Sequence, residues 1–263
     1  LTGKPVYYDK AKRALVATFE RRSKIGLVGS AIDVETGEWA NRNSHVGGGI
    51  DSYYEYLLKC WKLFGDEDCK RMWEQSVGPM NRYLGDELGG GELWYGHADM
   101  DTGVRGASQY GALDAFLPAV LALAGDIDRA SRLQKSGLMM WRLHGIEPEA
   151  LDYRKMEVVS GGYQLRPEII ESAYYLHHFT GDLRWRAMGR EFFDDFVRNC
   201  RTDTAYAAIK DVRTMEKRDS MESFVLAETF KYYWLLFSPP SALEFDGVVF
   251  NTEAHPLRRT WKD

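Results

Sequence analysis

The sequence predicts an all-α protein of the α/α-barrel kind, with β-hairpins gathered on one face. Three observations carry this. A helix end, a glycine and a new helix start recur at Leu1-Thr-Gly3-Lys, Leu63-Phe-Gly65-Asp, Leu123-Ala-Gly125-Asp and Phe179-Thr-Gly181-Asp, the glycines lying 62, 60 and 56 residues apart. The segment before each glycine is apolar almost all round, and the segment after it is amphipathic. Strand-like pieces fall only in the connectors. A period near 60 is too long for common two-helix solenoid repeats; it suits a long helical hairpin plus a connector.

In chain order, VYYDKAKRALVATFERR is the outer helix of a first hairpin, and GLVGSAIDVETGEW is its connector. SYYEYLLKCWKLF is a buried inner helix and EDCKRMWEQSVGPMNRYL its wet partner. GGELWYGHADMDTG leads to ALDAFLPAVLALA, where Pro118 should kink an inner helix. IDRASRLQKSGLMMWRL follows outside. LRPEIIESAYYLHHF opens as a helix should, with Pro167 in the first turn and Glu168 and Glu171 at the positive end of the dipole. RWRAMGREFFDDFVRN, the strand-like TAYAAIKDV, a last inner helix MESFVLAETFKYYWLLF and the strand GVVFNTEAHPL complete the chain. Glycine suits each helix end in the left-handed conformation, and the Asp after it can cap the next helix.

Every connector returns from an outer helix to the start of an inner one. The inner helix N-termini, the long loops and the hairpins therefore share one face, the expected functional face. The first hairpin lacks an inner partner. The expectation is that residues 1–263 form the C-terminal part of a single barrel domain, inactive alone and completed by further N-terminal helices.

Bulk properties narrow the function. The 263 residues are 44% apolar and 28% charged, a globular balance. Net charge is −5 with no basic run, which argues against a nucleic-acid partner. No apolar run approaches the roughly 20 residues of a membrane span. Cys60, Cys69 and Cys200 have no metal-ligand spacing; Cys60 and Cys69, nine apart across a turn, could pair. Eight Trp and fifteen Tyr suit a sugar-binding surface or a large core. Asp99-Met-Asp101-Thr-Gly103 has only the opening rhythm of a calcium loop and reads as a turn. His45, His97, His144, His177 and His178 form no ligand pattern.

Chemistry concentrates at the inner-helix starts. Asp51, Asp114, Glu168 with Glu171, and Glu222 with Glu228 recur there. Carboxylates converging on one pocket repel, so some must take raised pKa values, and such rings serve metal binding or acid/base work. Glycoside hydrolysis needs two carboxyls flanking the scissile bond. Asp51 and Glu168 could face each other, with Arg166 on a carboxylate or hydroxyl and Phe116 and Phe224 against a sugar ring or in the core. Phe250-Asn-Thr-Glu-Ala-His-Pro256 offers oxygen-rich residues late in the chain.

These residues resemble glycoside hydrolase family 47, the class I α-1,2-mannosidases, and within it the bacterial and ER degradation-enhancing mannosidase-like members. The resemblance runs over essentially the whole chain and is carried by RRSKIGLVGSAIDVETGEW, GGGIDSYYEYLLK, LRPEIIESAYYL, DSMESFVLAETFKYYWLLF and VFNTEAHPL. It implies an (α/α)7 barrel with a hairpin in its pore. It implies Ca²⁺-dependent, inverting removal of terminal α-1,2-linked mannose from oligosaccharides, in an extracytoplasmic compartment. Glu168 falls on the general base, and Asp51 on one of the family's two candidates for the acid, acting through a water; the other candidate, a Glu on an early inner helix, falls before Leu1. Thr252 falls on the Ca²⁺ ligand. Arg166, Glu171, Phe224, Glu228 and Glu253 fall on residues around the sugar or the metal's waters, and Phe116 on a pocket aromatic. Gly49 stands where processing enzymes carry a branch-reading Arg, which implies a broader substrate range. A different class of function, a catalytically weak mannose-glycan-binding module, is the alternative reading.

Overall fold

A computed structural model describes residues 2–261. Its α-helices are α1 (Pro5–Glu20), α2 (Asp51–Phe64), α3 (Glu67–Pro79), α4 (Leu117–Leu123), α5 (Ile127–His144), α6 (Glu168–Thr180), α7 (Leu183–Cys200) and α8 (Phe230–Phe237). The glycine-and-aspartate punctuation works as its chemistry dictates. Gly65, Gly125 and Gly181 have φ of 69°, 90° and 66°. Asp66, Asp126 and Asp182 then accept amide hydrogen bonds from Cys69, Arg129 and Arg184 at 2.9, 3.2 and 2.9 Å. In the first of the four motifs Gly3 has φ 69°, and Leu1 lies outside the described residues.

Helices α2, α4, α6 and α8 pack side by side in chain order, with α3 on α2, α5 on α4 and α6, and α7 on α6 and α8. That is an inner row backed by an outer row. The connectors are stitched together by backbone pairing: Asn43 with Asp99, Gln109 with Asp152, and Tyr163 with Ile209. Each pairing joins one connector to the next, so all four share the face at the inner-helix N-termini.

Several elements differ from expectation. Pro118 does not kink a helix interior. A 3-10 turn, Leu113–Phe116, precedes α4, and Pro118 occupies the first turn of α4, where no N–H is needed. The last inner helix opens with a π turn, Val225–Thr229, and Glu222 lies exposed just ahead of it, its carbonyl accepting the Val225 amide at 3.1 Å. A second π turn, Met80–Leu84, extends α3 past Pro79. Ala150–Asp152 and Glu157–Ser160 are strands that join Gln109–Tyr110 in a three-stranded sheet. Their short, mixed sequences carry no clear alternation.

Cys60 and Cys69 form a disulfide that ties α2 to α3. Residues 99–103 form the expected turn, with Asp99 Oδ1 accepting the amides of Asp101 and Thr102. His45 and His97 stack at 4.7 Å between ring centres, beside the turn that leads into α2.

The hairpin Val248–Phe250 with Pro256–Arg258 lies along the inner row. Phe245 stacks on His178 near the C-terminus of α6, while Phe250 meets Tyr175 and Tyr232 further up. The Lys231 ammonium donates to the carbonyl of Ala254 at 2.7 Å, and the Thr252 amide donates to the Tyr56 hydroxyl at 3.2 Å. Beside α1 and α2 an apolar groove of about 730 Å³ remains open, lined by Leu15, Ile32, Trp39, Tyr53, Tyr56 and Val249. Among the described residues no helix is long and apolar enough to cross a membrane.

Candidate active site

The site is built outward from the start of α6. Leu165, buried and held at φ 63°, turns the chain sharply before Arg166 and Pro167. Its carbonyl accepts the Thr229 hydroxyl at 2.8 Å, which locks the turn to the last inner helix. Glu168 follows as the first residue of α6. Its Oε2 is enclosed and has no hydrogen-bond partner. Burial pushes Glu168 up to about 8; Arg166 pulls it down, and Glu171 and Glu228 push it further up.

Arg166 is held by Glu149, with Nε and Nη2 donating to the two carboxylate oxygens at 3.1 and 2.8 Å. Its guanidinium carbon lies 5.8 Å from the centre of the Phe224 ring. Glu171, one turn into α6, accepts from the Tyr232 hydroxyl at 3.0 Å and lies 3.8 Å from the Lys59 ammonium. Lys59 is buried and pairs at 2.5 Å with the equally buried Glu55. Burial alone would strip the Lys59 charge, but the carboxylates around it outweigh that and hold it protonated. Burial raises Glu171 to about 7 against the pull of Lys59. Glu228, on the π turn, is likewise pushed up to about 7 by burial and then by Glu253 and Glu171.

Asp51, the first residue of α2, is half-buried; burial raises its pKa, Glu55 adds to the rise, and Arg166 opposes it. Burial raises Asp114 to about 7, with the Asp51 charge adding to it. Asp51, Glu168, Glu171 and Glu228 thus fall in one electrostatically linked cluster with Arg166 and Lys59. Thr252 and Glu253 sit exposed at the hairpin tip, with Glu253 linked to Glu228. Phe116 is 5% exposed and packs in the apolar core.

Four members of the cluster escape a sequence reading. Glu149 and Glu147 lie in the connector after α5, which has no periodicity to mark them. Glu147 is 0% exposed with both oxygens unpartnered, and burial followed by Glu168 and Glu149 raises its pKa well above normal. Glu55 and Lys59 belong to a helix expected to be apolar all round. A charge in such a helix must be paired, and their i, i+4 spacing was the available signal.

The donors fit a hard cation at the hairpin tip. Thr252 offers a hydroxyl and a carbonyl oxygen, neither hydrogen-bonded among the described residues, with Glu253 next to it in sequence and Glu228 within electrostatic reach of that carboxylate. A second three-donor group, Cys60, Asp66 and Cys69, does not fit: its sulfurs are in a disulfide and Asp66 caps α3.

The sequence profile of glycosyl hydrolase family 47 matches residues 1–259. The chain belongs to that family. Among family 47 relatives it is similar to Alpha-mannosidase I MNS4 of Arabidopsis thaliana, 38% identical over 98% of this chain and 42% of the relative. It is 36% identical to human ER degradation-enhancing alpha-mannosidase-like protein 2, over 98% of this chain and 47% of that protein. The chain thus spans about half the length of these relatives. In structure it is similar to an alpha-1,2-mannosidase from Trichoderma reesei, with a TM-score of 0.81 and 25% identity, over 98% of this chain and 62% of that one. The helical-hairpin architecture is therefore that of a family 47 α/α fold.

Proposed function

We propose that this chain carries the catalytic face of an inverting, Ca²⁺-dependent exo-α-1,2-mannosidase acting on mannose oligosaccharides. The observation that carries the reading is the convergence of Asp51 from α2, Glu168 and Glu171 from α6, and Glu228 from the last inner element on a mouth that also holds Arg166. Such crowding is costly unless ligands use it. Family membership and the relatives' names support hydrolysis of mannosides.

In this reading Glu168, with its enclosed free oxygen, takes a proton from the attacking water. Asp51 passes a proton through a water to the leaving oxygen, so one proton is taken and one given per bond cleaved. Arg166, fixed by Glu149, and the Phe224 ring position the sugar. Glu171, held by Tyr232, and Glu228 accept from its hydroxyls. Bound at Thr252, Ca²⁺ would supply a flexible, oxygen-seeking charge that gathers sugar hydroxyls. Gly49 leaves room beside this site and supports tolerance of several glycan branches. The open groove by α1 and α2, and Trp234 at 58% exposure on α8, support packing of further helices of an (α/α)7 barrel at both edges of the row. The disulfide and the ER-linked names of relatives support an extracytoplasmic compartment.

The test uses the complete protein and an α-1,2-linked mannobiose. The expected result is free β-mannose as first product by NMR, lost on chelation and in Glu168→Gln. An initial α product contradicts inversion. Chelator-insensitive binding without turnover favours a glycan-binding module instead.

A further inference from the structure

Asp114 lies on the 3-10 turn ahead of α4, beside the element that delivers Asp51. Its Oδ2 accepts the Gly111 amide at 3.0 Å, and its carbonyl accepts the Tyr110 hydroxyl at 3.1 Å. The carboxyl rests on bare backbone: a Cβ on Gly47 would stand 2.6 and 2.8 Å from its two oxygens, and one on Gly48 would stand 2.7 Å from the Leu113 side chain. The Gly47 carbonyl in turn accepts the amides of Ile50 and Asp51, both at 3.1 Å. Asp114 therefore bears on Gly47, whose carbonyl anchors the turn into α2, and Asp51 is the first residue of that helix.

We propose that Asp114 is a positioning residue for Asp51, clamping the Gly47–Gly49 turn and adding a second carboxyl to the acid side of the site. This rests on the assignment of Asp51 to that acid side. The groups facing the pair are few. Asp51 acts on Asp114, Asp114 acts on Tyr110, Glu55 and Arg166 act on Asp51, and His45 Nδ1 accepts the Gly47 amide at 3.2 Å. Burial and the Asp51 charge keep Asp114 protonated to about neutral pH, so the two carboxyls together retain a proton there. With Asp114 replaced by an amide, no second carboxyl opposes the ionisation of Asp51, so Asp51 gives up its proton more readily.

Two measurements on the complete protein decide it. In Asp114→Asn the alkaline limb of kcat/KM on α-1,2-mannobiose should move about one unit or more to lower pH, with KM within about twofold of wild type. Independently of turnover, Asp51→Asn should lower the titration midpoint of Asp114 read by carboxyl-carbon NMR. An unmoved limb in a folded Asp114→Asn protein, or an unmoved Asp114 midpoint in Asp51→Asn, overturns the proposal. If Asp114→Asn does not fold, the NMR reading decides alone. Absence of mannose release by the wild type overturns the proposed function and leaves the NMR test standing.

Discussion

Arg166 is gripped by Glu149 through two parallel hydrogen bonds, a fork-on-fork pairing that fixes the plane of the guanidinium. The same guanidinium lies over Phe224. An arginine held this way presents its remaining N–H groups to the mouth in one direction. Lysine cannot reproduce the fork. Arg166→Lys and Glu149→Gln should each lower kcat/KM by roughly 10- to 100-fold. Steady-state kinetics on a disaccharide, with circular dichroism to confirm folding, checks this.

Lys59 neutralises two buried carboxylates, Glu55 at 2.5 Å and Glu171 at 3.8 Å. Lys59→Met leaves both without a counter-charge, and the expected loss is about 3–5 kcal/mol. The loss should shrink at pH 5, where the orphaned Glu171, raised by burial, takes up a proton. Urea unfolding at pH 5 and pH 8 measures both.

Glu147 should weaken the fold at neutral pH. Its folded pKa is raised by burial, so the native state binds more protons than the unfolded chain. Stability from this group is complete below the unfolded pKa, near 4.5, and is lost as pH rises toward the folded value. Glu147→Gln should therefore raise the melting temperature at pH 8 and change it little at pH 4.5. A pH series of thermal melts is the check.

Glu168 must be ionised to act as a base, yet burial holds it near 8 without a bound cation. A cation near it favours the ionised form. The acid limb of kcat/KM should lie higher at limiting Ca²⁺ and move down as Ca²⁺ saturates. Thr252→Val should raise the Ca²⁺ concentration needed at least tenfold, and Glu168→Gln should cut kcat about a thousandfold or more at any concentration.

Much of the scaffold is readable because its physics is local. Gly65 and Gly181 need a left-handed backbone, and Asp66 and Asp182 need a free amide to cap; neighbours in sequence settle both. Asp51 and Glu168 are likewise marked by their helix starts. The rest depends on distant partners. Glu149 is recognisable only once Arg166 folds against it, and Lys59 only once Glu171 arrives from another helix. Pro118 looked like a kink because nothing in its own window shows that α4 starts at Leu117. Phe116 reads from sequence as either a sugar platform or a core residue, and only the helices packed around it bury it.

The close packing of Asp114 and Leu113 on Gly47 and Gly48 has a consequence for how such a protein can vary. The loop face is held in register by atoms that are missing. A random change there is least tolerated at the smallest residues, where one added carbon moves a carboxyl.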